Sequence, residues 1–118
     1  VVGKDVYISD FSHVLPDGSV AWNTRIYNGI KFSILNPSDL SVTTNTTIDG
    51  ILEEFPKPSF TFLIHCIGRT LLYEKEKFLE QFASSYAEKL SPVMGFSSTG
   101  EQLFDTHLNQ TLLVIIFE

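Results

Sequence analysis

The chain has 118 residues, of which 43% are hydrophobic and 19% are charged, and its formal net charge at pH 7 is −6. This size and composition predict one ordinary packed domain and exclude a disordered or fibrous protein. The eight Lys and Arg residues are scattered along the sequence, whereas a nucleic-acid surface needs clustered cations to neutralise successive phosphates. We therefore expect no nucleic-acid partner.

The first third of the chain has the pattern of strands and turns. Alternating β-forming residues predict a strand at residues 5–9. The run Pro16-Asp17-Gly18 is typical of a turn, which predicts a hairpin joining a strand at residues 11–14 to one at residues 20–22. A further strand is predicted at residues 30–34, where apolar side chains alternate.

The rest of the chain alternates between helices and strands. The run Asn36-Pro37-Ser38-Asp39 supplies a helix N-cap, and an apolar stripe behind it predicts a helix over residues 44–55. A second stripe predicts a longer helix over residues 73–90. Strands are predicted at residues 59–66, 92–98 and 111–117, and the first of them is apolar enough to be central. This order predicts an α+β fold, with a mixed, largely antiparallel sheet and two helices on one face.

The cysteine content and the longest apolar run bear on where the protein resides. The single cysteine, Cys66, excludes an internal disulfide and is typical of a reducing compartment, so we expect a cytoplasmic protein. The apolar run at residues 112–117 is far shorter than the roughly 20 helical residues that span a bilayer, so we expect no membrane insertion. Because the chain begins with Val1, we expect residues 1–118 to be one domain of a larger protein.

Three polar clusters lie where strands are predicted to end. Such positions are where rigid scaffolds usually present binding groups. Their candidate ligand-binding residues are His65, Cys66, Gly68 and Arg69, then Gly100 and Glu101, and finally His107 and Asn109. The three His and one Cys lack the paired spacing of a metal site, and no cofactor motif is present, so we expect neither metal nor cofactor.

Cys66 is a candidate catalytic nucleophile, because a histidine stands next to it in the sequence. Its neighbour His65 points to the opposite face of the strand and cannot readily activate it. By alternation Cys66 shares a face with Phe60, Phe62 and Ile64, which we expect to be the core side, so a buried and inert thiol is favoured. An approach of His107 from its own loop would instead support an enzyme.

Arg69 and Glu101 are the charged candidates. The planar guanidinium of Arg69, one of two arginines, is well suited to a carboxylate or phosphate at the end of a central strand. Glu101 could receive the ammonium group of a ligand. Alternatively, the two side chains could form a salt bridge that ties their loops together.

These motifs together resemble the C-terminal domain of the FIST (F-box and intracellular signal transduction) family. The resemblance rests on residues 62–69, on Gly95-Phe96, on Gly100-Glu101 and on residues 107–111, and an opening like the family's includes the Asp17-Gly18-Ser19 turn. By resemblance, the signature positions are occupied by Cys66, Gly68, Arg69, Gly95, Phe96, Gly100, Glu101 and Asn109.

The resemblance implies a sensory module that binds small ligands such as amino acids. Its partners would be an amino acid or small carboxylate, together with the N-terminal half and the output domain of a parent signalling protein. We accordingly expect a binding module and not an enzyme. The alternatives are a cysteine- or histidine-dependent enzyme domain and a docking domain without a ligand.

Overall fold

The computed structural model describes residues 8–90, 92–104 and 106–118, which form an α+β domain. Its helices are Leu40–Glu54 (α1), Ile67–Lys75 (α2) and Leu79–Lys89 (α3). Its strands are Phe11–Val14 (β1), Val20–Trp22 (β2), Phe60–Cys66 (β3), Val93–Ser98 (β4), Glu101–Leu103 (β5), Thr106–Leu108 (β6) and Leu112–Phe117 (β7). None of the helices in this part of the chain is long and apolar enough to cross a membrane.

β3 is the centre of a three-stranded sheet with the order β4-β3-β7. β4 runs parallel to β3, so that Cys66 lies opposite Ser98, whereas β7 runs antiparallel to β3. The pairs β1–β2 and β5–β6 form two separate antiparallel hairpins. Three of the four strand pairings are therefore antiparallel, which confirms the predicted fold class.

The hydrophobic core lies on one face of the central sheet. Leu63 of β3 packs there with Ile48 of α1, Tyr73 of α2 and Phe82 of α3, so all three helices cover the same face. The residues of β3 on this face are Thr61, Leu63 and His65, and they are buried. The prediction that Phe60, Phe62 and Ile64 form the core side is wrong, since these three are only half-buried. Both faces of β3 carry apolar residues, so its sequence does not reveal which face the helices cover.

α1 begins at Leu40, four residues before the predicted start, and its N-cap is Asp39, in the run predicted to supply one. The Asp39 carboxylate accepts a hydrogen bond of 2.8 Å from the backbone N–H of Val42. Burial of Thr44 and Ile48 holds the first turns in helical form despite the poor helix propensity of the Thr-rich sequence.

The single helix predicted over residues 73–90 is wrong, because the structure has two helices, α2 and α3, on either side of Lys77. Lys77 has a φ of 56°, in the left-handed region, which ends α2. The backbone N–H of Phe78 then donates to the carbonyl of Tyr73 at 2.7 Å. Because Tyr73 and Phe78 both enter the core, the break is stabilised by burial on both sides.

The predicted hairpin is confirmed, with strands at Phe11–Val14 and Val20–Trp22. The strand predicted at residues 30–34 is wrong, because these residues form no regular element and are exposed. The strand predicted at residues 5–9 lies outside the described residues over positions 5–7, and residues 8 and 9 belong to no strand. The polar loop expected between residues 98 and 111 instead contains the short β5–β6 hairpin.

Candidate functional site

A cavity of about 290 Å³ lies at the N-terminal end of α2. Helix α2 begins at Ile67, directly after β3, and β4 ends beside the same point because it runs parallel to β3. Ligands commonly bind where the carboxyl ends of parallel strands meet the start of a helix. The cavity is lined by Asp10, Asn23, Cys66, Ile67, Gly68, Thr99, Asn109 and Gln110.

The start of α2 gives the cavity a positive end. Its N-cap residue, Cys66, makes no capping hydrogen bond with its side chain. The first backbone N–H groups of a helix lack partners within the helix and carry the positive end of its dipole, so they favour an anion. Gly68 lies in this first turn, and a Cβ atom there would fall 2.2 Å from Nε2 of Gln110. A side chain at position 68 would therefore displace the end of the Gln110 side chain.

Asn109 lines the same cavity and has a buried hydrogen-bond donor. It is 5% exposed, and its Nδ2 has no hydrogen-bond partner among the described residues. A buried amide without a partner costs about 1–3 kcal/mol, so such groups usually have a structural or functional reason. A ligand acceptor in the cavity would supply the missing partner.

Asp10 and Gln110 line the cavity next to the start of α2. Nε2 of Gln110 donates to the carboxylate of Asp10 at 2.7 Å, and the backbone N–H of Gln110 donates to Sγ of Cys66 at 3.2 Å. The backbone N–H of Asn23 donates to the carbonyl of Asp10 at 2.9 Å. Because Asp10 and Asn23 flank the β1–β2 hairpin, the base of this hairpin is part of the cavity wall.

Glu101 binds residues next to the cavity wall without lining the cavity itself. It is 2% exposed, and its two carboxylate oxygens accept hydrogen bonds of 2.5 Å from the hydroxyls of Ser98 and Thr111. These hydroxyls belong to the end of β4 and the residue before β7, next to Thr99 and Gln110 of the cavity wall. Glu101 therefore positions two of the loops that form the cavity.

Arg69 is directed away from Glu101. Its Nη2 donates to the hydroxyl of Tyr73 at 2.5 Å, and its guanidinium carbon lies 5.3 Å from the centre of the Tyr73 ring. Within the described ranges, the ion pair present is Lys89–Asp49 on the surface, and Arg69 and Glu101 are not joined. Neither residue lines the cavity, so their assignment to the charged ends of a ligand stays a prediction.

His65 lies in the core, on the face of β3 that the helices cover. Its Nδ1 is 2.9 Å from the hydroxyl of Thr70, and its ring stacks on Phe82 with a centroid separation of 4.8 Å. Burial, together with the positive charge of Arg69 and against an opposing effect of Glu101, lowers the pKa of His65 from 6.5 to about 4. At neutral pH the imidazole is an uncharged core group.

His107 and Gly100 meet in the β5–β6 hairpin, away from the cavity lining. A Cβ atom on Gly100 would fall 2.3 Å from Cε1 of His107, so the imidazole packs directly against the glycine. His107 does not line the cavity beside Cys66, which is buried as predicted. The described part of the chain brings together no three His, Cys, Asp or Glu residues that could hold a metal ion.

Of the predicted site residues, the cavity brings together Cys66, Gly68 and Asn109. Sequence reasoning missed five wall residues, namely Asp10, Asn23, Ile67, Thr99 and Gln110. One signal for the first two was available, since Asp10 and Asn23 stand immediately before and after the predicted hairpin strands and must therefore be neighbours.

The architecture defines the chain as an α+β domain with a ligand-sized cavity at the start of the helix that follows its central strand. A family model described as the FIST C domain matches residues 1–103, and the chain therefore belongs to the FIST C-domain family. Membership indicates a sensory domain of a signal-transduction protein. No curated protein and no solved structure is significantly similar to the chain.

Proposed function

We propose that this domain is the sensory module of a signalling protein and that it binds a small polar metabolite of the amino-acid class in the cavity at the start of α2. The observation that carries the proposal is that Asn109 lines the same cavity as the first turn of α2, while its Nδ2 is buried without a partner in the described part of the chain. The free thiol of Cys66 favours a reducing compartment such as the cytoplasm.

The charges around the cavity suit a zwitterion. A ligand carboxylate would accept hydrogen bonds from Nδ2 of Asn109 and from the first backbone N–H groups of α2. The Asp10 carboxylate, which also lines the cavity, would receive the ammonium group. The volume of about 290 Å³ lies at the lower end of the roughly 300–1,000 Å³ range of small-molecule sites, which favours a ligand of amino-acid size.

A second arrangement uses the charged residues that the sequence suggested. Arg69 would leave the Tyr73 hydroxyl to hold the ligand carboxylate, and Glu101 would accept the ammonium group. This arrangement requires Glu101 to give up its hydrogen bonds from Ser98 and Thr111. We favour Asn109 and Asp10 because neither needs to leave the cavity wall.

We also propose that the domain binds its ligand without transforming it. An enzyme based on Cys66 needs a base within hydrogen-bond reach of the sulfur. The group that donates to Sγ of Cys66 is the backbone N–H of Gln110, and His107 packs on Gly100 instead. The side chains at the cavity therefore support recognition better than nucleophilic chemistry.

A docking role is favoured by a different surface. The face of the central sheet opposite the helices carries aromatic side chains, with ring centroids 5.6 Å apart for Phe60 and Phe117 and 5.9 Å apart for Phe62 and Phe96. Phe96 and Phe117 are exposed. We propose that the N-terminal half or the output domain of the parent protein packs on this face, which would transmit the state of the cavity.

Asn109→Leu tests the proposed site, because leucine has the same number and branching of side-chain heavy atoms as asparagine but cannot donate. Wild-type protein and variant are titrated with the protein L-amino acids and with acetate and succinate, and melting temperature and heat of binding are measured. A ligand at 100-fold its dissociation constant adds about 2.7 kcal/mol of stability to the wild type. We expect Asn109→Leu to lose this gain while its ligand-free stability is maintained or raised, since an unpaired buried donor is removed.

Asn45→Leu, at an exposed position on α1, is the matched control and should respond to ligand as the wild type does. An equal ligand response of wild type and Asn109→Leu would contradict the proposed site. Arg69→Lys distinguishes the second arrangement, because an ammonium group cannot reproduce the two-pronged contact of a guanidinium with a carboxylate. Loss of the ligand response in Arg69→Lys but not in Asn109→Leu would move the site to Arg69.

A further inference from the structure

We propose that the hydrogen bond between Gln110 and Asp10 is a latch that ligand binding opens, so that occupancy of the cavity changes how the β1–β2 hairpin is held. The inference rests on the proposed function, since it assigns a regulatory contact to the same cavity. The Gln110 side chain reaches across the N-terminal end of α2 to Asp10, a residue 100 positions earlier in the chain.

The Gln110 amide lies beside the first turn of α2, where an anion is favoured. Its Nε2 lies so close to the α2 backbone that a Cβ atom on Gly68 would be 2.2 Å away. The start of a helix favours an acceptor with negative charge, whereas Gln110 covers it with a neutral amide whose NH2 group donates to Asp10. A ligand carboxylate is a better partner for the helix and competes directly with this side chain.

The backbone of Gln110 is held in a sparsely populated conformation. Its φ of 57° lies in the left-handed region, which residues other than glycine rarely adopt. Two hydrogen bonds fix it there: the side chain donates to Asp10, and the backbone N–H donates to Sγ of Cys66. Opening the first bond leaves the residue free to leave the cavity.

Asp10 links the latch to the hairpin. It directly precedes β1, and its carbonyl accepts the backbone N–H of Asn23, which directly follows β2. A displacement of Asp10 is therefore transmitted to both strands at once. When the ligand replaces the Gln110 amide, the Asp10 carboxylate exchanges one donor for another, the ligand ammonium, and the base of the hairpin follows it.

The fluorescence of Trp22 reports on the hairpin, because Trp22 lies at the end of β2 and is the only tryptophan of the chain. In the ligand-free protein, Gln110→Ala should shift the emission of Trp22 and speed amide hydrogen exchange over residues 11–22 by about tenfold. Gln110→Glu should do the same, because a second carboxylate repels Asp10. The double variant Asp10→Asn/Gln110→Glu should restore the wild-type emission, since the amide and the carboxylate exchange places.

Gln81→Ala, at an exposed position on α3, is the matched control and should leave both signals unchanged. Unchanged Trp22 emission and exchange in Gln110→Ala, or failure of the double variant to restore them, would overturn the latch. This comparison needs no ligand, so it is decided separately from the proposed function.

The ligand-bound state is tested by titrating the wild type and Gln110→Ala with each protein L-amino acid. An amino acid that binds the wild type should shift Trp22 in the same direction as Gln110→Ala does. It should bind Gln110→Ala about tenfold more tightly, because no latch competes, and cause little further shift. Binding that leaves wild-type Trp22 unmoved overturns the latch alone, whereas no binding to either protein overturns the latch together with the proposed function.

Discussion

Acidification should destabilise this domain through His65, which must fold as a neutral imidazole. The pKa of its side chain falls from 6.5 to about 4 on folding, mainly through burial. Between these values the unfolded chain binds a proton that the folded protein excludes, so stability is lost as pH falls and is fully present above about 6.5. One pKa unit corresponds to about 1.4 kcal/mol, so the contribution lost at pH 5 is about 2 kcal/mol and approaches about 3 kcal/mol near pH 4.

The measurement is urea unfolding at a series of pH values from 7 to 4.5, followed by circular dichroism. His65→Phe keeps an aromatic ring against Phe82 and removes the titrating group, so its stability should fall by about 2 kcal/mol less than that of the wild type between pH 7 and 5. His13→Phe, at an exposed position, should retain the wild-type pH dependence. An identical pH dependence in wild type and His65→Phe would refute the argument that burial sets the charge of His65.

Two further predictions concern glycine and cysteine. A Cβ atom on Gly95 would fall 2.4 Å from the backbone oxygen of Leu63, so Gly95→Ala should cost about 1–3 kcal/mol in urea unfolding. Gly50→Ala, in α1 with open space around it, should instead raise the stability of the protein by about 0.5–1 kcal/mol. Equal effects of Gly95→Ala and Gly50→Ala would contradict the close packing of β4 on β3. Cys66, buried at 4% exposure, should react with a thiol reagent at least about tenfold more slowly than in the unfolded chain. Rapid labelling of the folded protein would contradict this and would show that the cavity is open at Cys66. Cys66→Ser should lower the free energy of unfolding by less than about 1 kcal/mol, because the serine hydroxyl can accept from the backbone N–H of Gln110 and can cap α2.

Local signals were sufficient for elements that short stretches of chain specify. The run at residues 36–39 was recognised as the source of the α1 cap, because a polar side chain ahead of an apolar stripe can accept from the free N–H groups of a helix start, and the structure shows that Asp39 is the cap. The β1–β2 hairpin followed from its turn residues, and β3 from a run that is apolar at nearly every residue. Each of these depends on interactions within a few residues, which a sequence displays directly.

Other elements depended on partners that a local pattern does not reveal. Apolar side chains alternate in residues 30–34 as in a strand, but these residues form no strand. Alternation indicates that one face of a segment is apolar, whereas a strand also needs a neighbouring strand to pair with. No proline or glycine near Lys77 indicates that a helix ends there. The break results from the burial of Tyr73 and Phe78 on either side of it. The choice of core face on β3 likewise required the docked helices.

The candidate site divides in the same way. The sequence by itself determined that polar residues gather where strands end, and this placed Cys66, Gly68 and Asn109 among the candidates that the cavity contains. Only the tertiary structure decided that Asp10 meets Gln110, that His65 turns into the core and that Glu101 binds hydroxyls in place of Arg69. The physical reason is that strand ends are local features of the chain, whereas the identity of the groups that meet there depends on which strands pair and which face the helices bury.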